Sequence, residues 1–347
     1  MMPEAAAGPR RAAVRAAIAA GLHFLQSVQL PSGEIPVSRT TDPAMRSGLV
    51  ADPSVFPTAL AAHCLAFAGD GAHPVLARAH AFLLGEMSGR GLWRHWTRAH
   101  PYHASLPPDL DDTSCASAAL TRAGIAIADN RRLLLANRRR DGLFLTWFVP
   151  RARWTGLEHA GTVLPQLLHP TALLLFFRKT SARPGDVDAV VNANALHYLG
   201  VRGLGEVAGW LTDLLLKGRE AQCDKWYDNP IVVRYFLSRA LAGVAPEAGE
   251  TIVRRSEAAA PANALEAALL ATTLADWGRP APEPLIARIL AGQLPSGGWP
   301  PAALYHGGRQ RLPEGGFAPP HPDTPRWGSE GLTTAFCIEA LARSGAT

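Results

Sequence analysis

Residues 107–124 read PPDLDDTSCASAALTRAG, an acidic turn followed by a stretch of small and apolar residues. A helix that is apolar on every side is buried on every side. The pattern therefore predicts a buried helix over 112–124 with three carboxylates, Asp109, Asp111 and Asp112, at its start. Because a helix start favours negative charge, the segment indicates both a layered helical fold and a site of acid chemistry.

Two types of helix alternate along the rest of the chain. Helices with one charged face are predicted over 11–30, 75–88, 127–138, 205–218, 247–258 and 283–293. Helices that are apolar all round are predicted over 55–69, 112–124, 187–200, 229–243, 262–277 and 329–344. Twelve alternating helices predict an outer and an inner ring of six, which is an all-α (α/α)6 barrel built as one domain over residues 1–347.

Long loops separate these helices at 31–54, 89–110, 139–186 and 294–328. They precede inner helices, so we expect them to gather at one mouth of the barrel. Loops of this length in a compact domain are usually functional. They hold six of the nine tryptophans, namely Trp93, Trp96, Trp147, Trp154, Trp299 and Trp327. Each indole either lines a site at the mouth or packs its loop onto the barrel.

One pentapeptide, Gln-Leu-Pro-Ser-Gly, occurs at 29–33 after the first outer helix and again at 293–297 after the last. The glutamine caps the helix, the proline ends it and the glycine turns the chain. The repetition predicts one shared turn at equivalent positions of the first and sixth helix pairs.

Composition argues against several classes of protein. Hydrophobic residues make up 48% and charged residues 18%, so the chain can bury a large core. The net charge is +5, but only three of the 34 basic residues are lysines, so no nucleic-acid partner is expected. Four separated cysteines without a CxxC pair favour a cytoplasmic location. No apolar stretch is long enough to predict a transmembrane segment.

Asp111 is the leading candidate for catalysis. It lies between two other carboxylates, and crowding of like charges in a dry pocket raises the pKa of a carboxyl group. A carboxyl group kept protonated in this way is a strong general acid. Thr113 or Asn192 can donate a hydrogen bond that aims its proton inward. The alternative is an Asp-rich helix cap without chemistry.

Polar residues in two other inner helices are candidates for ligand binding. Asp188 and Asn192 share a helix face, and Asn194 lies nearby. Buried amides need partners, so these residues bond Asp111, hold a diphosphate or Mg²⁺, or fix the register between helices. Arg234 stands in an apolar helix and needs an anionic partner, either Asp111, Asp188, a substrate phosphate or an internal salt bridge.

Cations and aromatic side chains at the mouth complete the candidate site. Lys225 lies just before the fourth inner helix, where it can meet a diphosphate. A further basic cluster either meets the diphosphate or is solvated surface, and it comprises Arg138, Arg139, Arg140, Arg151 and Arg153. Aromatic faces stabilise cations. The aromatic candidates are Trp93, Trp96, Phe148, Trp226, Tyr227, Tyr235 and Phe236, of which the last two either line the site or pack in the core.

The sequence resembles the squalene-cyclase and prenyltransferase superfamily. The run Asp109-Leu-Asp-Asp-Thr113 has the form of the DxDD motif of class II terpene cyclases. The run from Gln293 to Trp299 looks like that superfamily's Gln to Gly-Trp turn, and WGSEGLTTAFCIEAL at 327–341 looks like its final inner helix. The resemblance covers essentially the whole chain. The chain is similar to a lone β-type domain, as in drimane-type sesquiterpene cyclases.

This resemblance implies a class II cyclase, which starts its reaction by protonating a linear isoprenoid such as farnesyl or geranylgeranyl diphosphate. By its position in the motif, Asp111 would be the general acid, and Asp109 and Asp112 would tune it. Mg²⁺ would accompany a diphosphate, and no zinc is expected. A separate phosphatase would act later, or the diphosphate would be retained. An epoxide-bearing substrate is the other option.

Three alternatives remain open. A zinc-dependent prenyltransferase subunit would use Cys223 and Asp224, but no histidine stands at a later inner-helix start. A carbohydrate-active (α/α)6 enzyme would need a second acid across an open groove, such as Glu158 or Glu330. A noncatalytic binding toroid would need neither. A closed apolar cavity favours the cyclase over an open-groove enzyme.

Overall fold

The computed structural model describes residues 4–150, 157–167 and 170–344, which are mostly helical. In chain order the helices are α1 Glu4–Val28, α2 Val55–Leu65, α3 His73–Glu86, α4 Leu110–Arg122, α5 Arg131–Ala136, α6 Leu157–Leu167, α7 Pro170–Lys179, α8 Ala189–Leu199, α9 Gly205–Leu216, α10 Pro230–Leu241, α11 Pro246–Glu257, α12 Ala264–Asp276, α13 Glu283–Ala291 and α14 Glu330–Arg343. No helix in these ranges is long and apolar enough to cross a membrane.

The six apolar helices form a closed ring. Each of α2, α4, α8, α10, α12 and α14 packs against the next, and α14 returns to α2. Amphipathic helices lie outside them, with α3 against α2, α9 against α8, α11 against α12 and α1 against α14. This arrangement follows from burial, because helices apolar on all sides are stable only where other helices surround them. Among the residues described, every predicted helix has a counterpart.

Side-chain caps fix where several inner helices begin. Asp109, Asn229, Asn263 and Ser329 each accept a hydrogen bond from a backbone N–H in the first turn. The expected start of the second inner helix at residue 112 was therefore late. Asp109 is the N-cap and the helix begins at Leu110, which places Asp111 and Asp112 inside its first turn.

The expectation of an all-α fold was wrong in one respect. Four short strands, β1 Ser38–Thr40, β2 Val50–Ala51, β3 Ala303–His306 and β4 Arg326–Gly328, form an antiparallel sheet in the order β2-β1-β4-β3. The pairs β1–β2 and β3–β4 lie within single loops, but the pair β1–β4 joins the loop at 31–54 to the loop at 294–328. Such short strands carry too little period-2 pattern to be predicted from the sequence.

The loop at 139–186 contains two helices, α6 and α7, that the sequence did not predict. Pro170 begins α7, a position where proline is favoured because its missing N–H is not needed. Phe176 of α7 packs with Leu106, Trp147, Val149 and Ala182 in a small second core beside the ring. Within the same loop, Arg151, Arg153 and Trp154 lie outside the described residues.

The repeated pentapeptide forms the same turn twice, as expected. The side-chain NH2 of Gln29 donates to the carbonyl oxygens of Gly33 and Val75. That of Gln293 donates to the carbonyl of Gly297 at 2.8 Å and to that of Ala17, in α1, at 2.9 Å. The second turn therefore ties the last outer helix to the first.

Two tryptophans, Trp93 and Trp299, fix their loops to neighbouring helices through equivalent pairs of hydrogen bonds. Trp93 donates its indole N–H to the carbonyl of Leu83 at 2.7 Å, and its backbone N–H to Thr113. Trp299 donates its indole N–H to the carbonyl of Ile289 at 2.6 Å, and its backbone N–H to Thr334. Both indoles are fully buried, so they pack loops onto the ring.

Candidate active site

A cavity of about 150 Å³ lies at the mouth of the ring, beside the N-termini of α2 and α4. Eight aromatic side chains line it, and they are Phe56, Trp96, Trp147, Phe176, Trp226, Tyr227, Tyr305 and Trp327. The remaining lining comprises Asp109, Asp111, Asp112, His95, Leu106, Thr146, Thr180, Val191, His306 and Gly307.

Asp111 brings three parts of the fold together at this cavity. It stands in the first turn of α4, and its Oδ1 accepts a hydrogen bond from the amide of Asn194, in α8, at 2.6 Å. Its Oδ2 accepts a hydrogen bond from the hydroxyl of Tyr227, just before α10, at 3.1 Å. Burial, and then the charge of Asp109, raises the pKa of Asp111 to about 7. The group is therefore protonated in a large fraction of molecules near neutral pH.

The amide of Asn194 has a second partner, which fixes its orientation. Arg239, on the lumen side of α10, donates from Nη2 to Oδ1 of Asn194 at 2.5 Å. The same guanidinium lies over the rings of Tyr235 and Phe236, with centroid distances of 5.4 and 5.1 Å. Sequence reasoning did not assign a role to Arg239.

The two flanking carboxylates have separate environments. Asp109 accepts the backbone N–H of Asp112 at 2.8 Å, and burial holds its pKa well above the usual range. Burial also raises the pKa of Asp112 to about 7. One oxygen of Asp112 lies 3.6 Å from Nδ1 of His95, whose own pKa burial lowers. Burial therefore opposes ionisation of all three carboxyl groups.

Asp188 and Lys225 lie behind the cavity wall. Asp188 is fully buried and accepts hydrogen bonds from Thr146 at 2.6 Å and from the indole of Trp226 at 3.2 Å, so it holds two lining residues in place. Lys225 is also buried, forms an ion pair with Asp186, and donates to the carbonyl of Ser181 at 3.0 Å. The expectation that Lys225 stands at an open mouth was wrong, because this ion pair seals the ammonium inside the protein.

Thr113 and Asn192 do not bond Asp111, contrary to expectation. Thr113 pairs with the backbone of Trp93, and Asn192 pairs with the backbone N–H and carbonyl of Phe144. Residues two apart on a helix point about 200° apart, since each residue turns by about 100°. Asn194 therefore faces the lumen, while Asn192 faces away and fixes a loop to α8.

Arg234 also points away from the cavity. Its guanidinium lies 3.5 Å from Glu220 and donates to the carbonyl of Arg255, so its partner is the internal salt bridge and not Asp111, Asp188 or a ligand. Trp93 and Phe148 are fully buried in the main core and do not line the cavity. Trp96, Trp226 and Tyr227 line it as predicted.

Several lining residues were not among the aromatic candidates chosen from the sequence, although Trp327 was one of the six loop tryptophans. Tyr305 and Trp327 lie on the paired strands β3 and β4, and their rings stack at 5.5 Å with an angle of 6° between them. The paired loops bring them beside His95, whose ring meets that of Tyr305 edge-on at 5.6 Å. The aromatic content of the loop at 294–328 was the available signal. The sheet that orients these side chains was not predictable.

One buried carboxylate links three loops over the cavity. Asp52 accepts the indole N–H of Trp327 at 2.6 Å and that of Trp96 at 3.4 Å. It also pairs with His100 at 3.2 Å, and the His100 ring stacks on Trp96 at 4.4 Å. We call Asp52, Trp96, His100 and Trp327 the Asp52 clasp. It joins two cavity-lining indoles from loops that are far apart in sequence.

The residues required by the alternative functions are placed elsewhere. Glu330 lines a separate open groove with Glu266 and Asp228, and the side chain of Glu158 lies outside the described part of the chain. Asp224 accepts the backbone N–H groups of Val190 and Trp226. Over the residues described, no group of three or more His, Cys, Asp or Glu side chains is arranged to hold a metal ion.

Neither a family model nor a curated protein matches the sequence, but solved structures do. A protein from Actinoplanes aligns over 96% of this chain and 100% of its own, with 16% identity and a TM-score of 0.64. A variant of the type II terpene cyclase MstE from Scytonema, in complex with its substrate geranylgeranyl dihydroxybenzoate, aligns over 97% of this chain and 98% of its own, with 16% identity and a TM-score of 0.63. Another MstE variant, in complex with its product merosterolic acid A, covers the same shares at 17% identity and a TM-score of 0.63. The chain therefore has the fold of type II terpene cyclases over nearly its whole length.

Proposed function

We propose that the chain is a single-domain class II cyclase, an (α/α)6 barrel that folds a linear isoprenoid in the aromatic cavity and protonates its distal alkene from Asp111. One observation carries the proposal. Asp111, with its pKa raised to about 7, lines a cavity together with eight aromatic side chains. A strong acid beside apolar walls, away from competing water, is what protonation of an alkene requires.

The reaction begins when the O–H bond of Asp111 breaks and a C–H bond forms at the alkene. The cation that results is attacked by the next π bond of the same chain, so C–C bonds form in sequence. Aromatic faces stabilise each cation. Trp96, Trp226 and Tyr227 line the cavity and supply such faces. Loss of one proton to a base ends the reaction, which makes the product an isomer of the substrate.

Asp109 and Asp112 act on the acid through charge. Whichever of the two is ionised opposes ionisation of Asp111 and keeps the proton on it until an alkene is in place. Once Asp111 is ionised, the hydrogen bonds from Asn194 and Tyr227 stabilise the carboxylate. The site therefore holds the proton before transfer and stabilises the anion afterwards.

The charges around the cavity favour a head group without a diphosphate. Three carboxylates line it, and burial lowers the pKa of His306 to about 4, so this imidazole is neutral at pH 7. Lys225 is paired with Asp186, and Arg326 with Asp228. Among the described residues named here, a diphosphate would meet buried carboxyl groups and cations that already have partners. We therefore propose a prenylated arene or another non-phosphorylated isoprenoid in place of farnesyl or geranylgeranyl diphosphate. The MstE complexes with geranylgeranyl dihydroxybenzoate support this choice for a protein of the same fold.

Product analysis tests the proposal. Purified protein is incubated with geranylgeranyl dihydroxybenzoate, farnesyl diphosphate or geranylgeranyl diphosphate, and products are identified by mass spectrometry and NMR with and without phosphatase treatment. We expect a cyclised isomer of the prenylated arene from the wild type and none from Asp111→Asn. Asp213→Asn, which changes an exposed carboxylate paired with Lys217, is the matched control and should remain active.

Two results would contradict the proposal. Cyclisation by Asp111→Asn at a rate comparable to the wild type would remove Asp111 as the acid. Cyclisation of a prenyl diphosphate in preference to the arene would contradict the proposed head group. The proposal that the protein is a class II cyclase would still stand.

A further inference from the structure

Arg239 is a half-buried cation that faces the lumen of the ring, and its closest polar partner in the site is the amide of Asn194. Besides the bond to Asn194, its guanidinium lies 4.0 Å from the sulfur of Cys115 and stacks over two aromatic rings. Arg234, five residues earlier on the same helix, is paired with a carboxylate instead. Only Arg239 of the two connects to the acid cluster.

The chemistry of the guanidinium settles the orientation of Asn194. Arginine has hydrogen-bond donors and no acceptor. The Asn194 atom that faces Arg239 must therefore be the carbonyl oxygen, and the atom that faces Asp111 must be the NH2 nitrogen. Side-chain amides are otherwise free to be placed either way round. The cation removes that freedom.

An oriented NH2 group determines where Asp111 keeps its proton. Oδ1 of Asp111 lies 2.6 Å from the Asn194 nitrogen, which is a donor. A proton on Oδ1 would put two donors face to face. The protonated acid therefore carries its hydrogen on Oδ2, where the hydroxyl of Tyr227 can turn from donor to acceptor, which an NH2 group cannot do. Oδ2 is the oxygen beside Tyr227, a residue of the cavity wall.

We propose that Arg239 is a positioning residue, which acts through Asn194 to confine the acidic proton of Asp111 to Oδ2 and to stabilise the carboxylate that remains after proton transfer. The proposal rests on the proposed function of Asp111 as the general acid. It adds a relay of two residues, Arg239 and Asn194, that never touches the substrate.

Loss of the relay should shift the pKa of Asp111 in one direction, and that shift can be measured. Removing the cation, or the oriented NH2 group, weakens stabilisation of the ionised form and so raises the pKa of Asp111. A weaker acid protonates an alkene more slowly. Both effects must appear together: the pH profile of kcat moves to higher pH while its plateau falls. The titratable groups that face Asp111 are Asp109, Asp112, His95, Cys115, Asp224, Tyr227 and Arg239.

The test compares substitutions on one helix. We expect Arg239→Met to lower the plateau of kcat about tenfold or more and to move its midpoint up by about one pH unit, since one pKa unit corresponds to a tenfold change in ionisation. Arg239→Lys keeps a cation and a donor and should recover part of both effects. Arg234→Met is the matched control, which removes a buried arginine of α10 that faces Glu220 and should leave the midpoint unchanged.

A double-mutant cycle separates the relay from general damage. Asn194→Leu and Arg239→Met combined should slow the reaction no more than Asn194→Leu alone, because residues that act through one another are not additive. If the rate losses of Asn194→Leu and Arg239→Met multiplied in the double variant, the proposal would be overturned. So would an unchanged midpoint in Arg239→Met, since a structural defect lowers the plateau without moving it.

A substrate-free measurement keeps the proposal testable if the protein proves not to be a cyclase. Infrared difference titration of the wild type against Asp111→Asn reports the protonated Asp111 carboxyl. We expect its midpoint to rise in Arg239→Met and in Arg239→Lys by a smaller amount, and to stay in place in Arg234→Met. If Arg239→Met does not fold, Arg239→Lys carries the same comparison. An equal midpoint in the Arg239 variants and the wild type would refute the relay, whatever the enzyme's reaction.

Discussion

Tyr227 donates a hydrogen bond to Oδ2 of Asp111 over 3.1 Å, although 116 residues separate the two in sequence. The bond joins the turn before α10 to the first turn of α4 across the mouth of the ring. It lowers the pKa of Asp111, opposing the effect of burial. The acidity of this carboxyl group is therefore set by contacts from α8 and from the turn before α10.

Tyr227→Phe should make Asp111 a weaker acid. Hydrogen bonds to charged groups contribute about 1.5–3 kcal/mol, so loss of the hydroxyl should slow cyclisation about tenfold or more and shift the pH profile upward. Steady-state rates between pH 5 and 9 measure both changes. Tyr235→Phe is the control, because that hydroxyl donates to Glu339 and not to Asp111. Equal rates for Tyr227→Phe and the wild type would show that the bond has no part in proton transfer.

The contribution of Asp111 to the free energy of unfolding should fall as pH rises from about 4 to 7, because burial raises its pKa to about 7. In that window the folded protein keeps a proton that the unfolded chain has lost, so the unfolded state binds fewer protons and unfolding becomes easier with rising pH. Asp111→Asn cannot ionise. Between pH 5 and 8 its free energy of unfolding should improve relative to the wild type by about 2 kcal/mol. Urea denaturation at the two pH values measures this, and a constant difference would contradict the raised pKa.

Lys225→Met should damage folding more than substrate binding. Removing one partner of a buried ion pair costs about 3–5 kcal/mol, since it leaves Asp186 charged and unpaired. The double substitution of Lys225 and Asp186 by Met and Leu should recover much of that loss. Lys217→Met, at an exposed pair with Asp213, should change stability by less than about 1 kcal/mol. Chemical denaturation measures all three variants. If the Lys225→Met variant were as stable as the wild type and had a raised KM, Lys225 would have a role in substrate binding.

Trp327→Phe should admit water to the reaction. The phenyl ring can still stack on Tyr305, but the hydrogen bond to Asp52 is lost and the Asp52 clasp loses its shortest bond. Water that reaches a cation captures it as an alcohol, so hydroxylated products should increase. Reactions in ¹⁸O-labelled water count them by mass spectrometry. Trp277→Phe is the control, because its indole bonds Ser238 away from the cavity. An unchanged product ratio would mean that the clasp does not exclude water.

The helices could be predicted because burial leaves a strong periodic signal over many residues. The segment that contains Asn192 and Asn194 shows what this periodic signal does not predict. The sequence places both amides in one inner helix, but only the rotation of α8 in the ring decides which of them meets Asp111. The same holds for Arg234 and Arg239 on α10, where sequence reasoning assigned a ligand to the residue that faces outward.

The walls of the cavity were harder to predict than the acid. Trp96, Trp226 and Tyr227 lie in loops that precede inner helices, where the sequence predicts the mouth of the barrel. Tyr305 and Trp327 owe their positions to the pairing of β3 with β4. Strands of three or four residues are held by their neighbours and carry little pattern of their own. Lys225 shows the opposite error, because a lysine beside aromatic residues resembles a phosphate ligand until its partner Asp186 is known.

The hydrogen bond from Gln293 to Ala17 spans 276 residues, so α1 cannot pack against α13 and α14 until most of the chain exists. Synthesis proceeds at about 5–20 residues per second, which leaves the first helix waiting roughly 15 to 60 seconds for its partners to emerge. During that time its apolar face is exposed to other chains. The contacts that close the ring join residues far apart in sequence, so ring closure should be slow. Production of this protein in a host cell should therefore depend on chaperones that hold the amino-terminal helix, and on translation speed, more than on the stability of the finished ring.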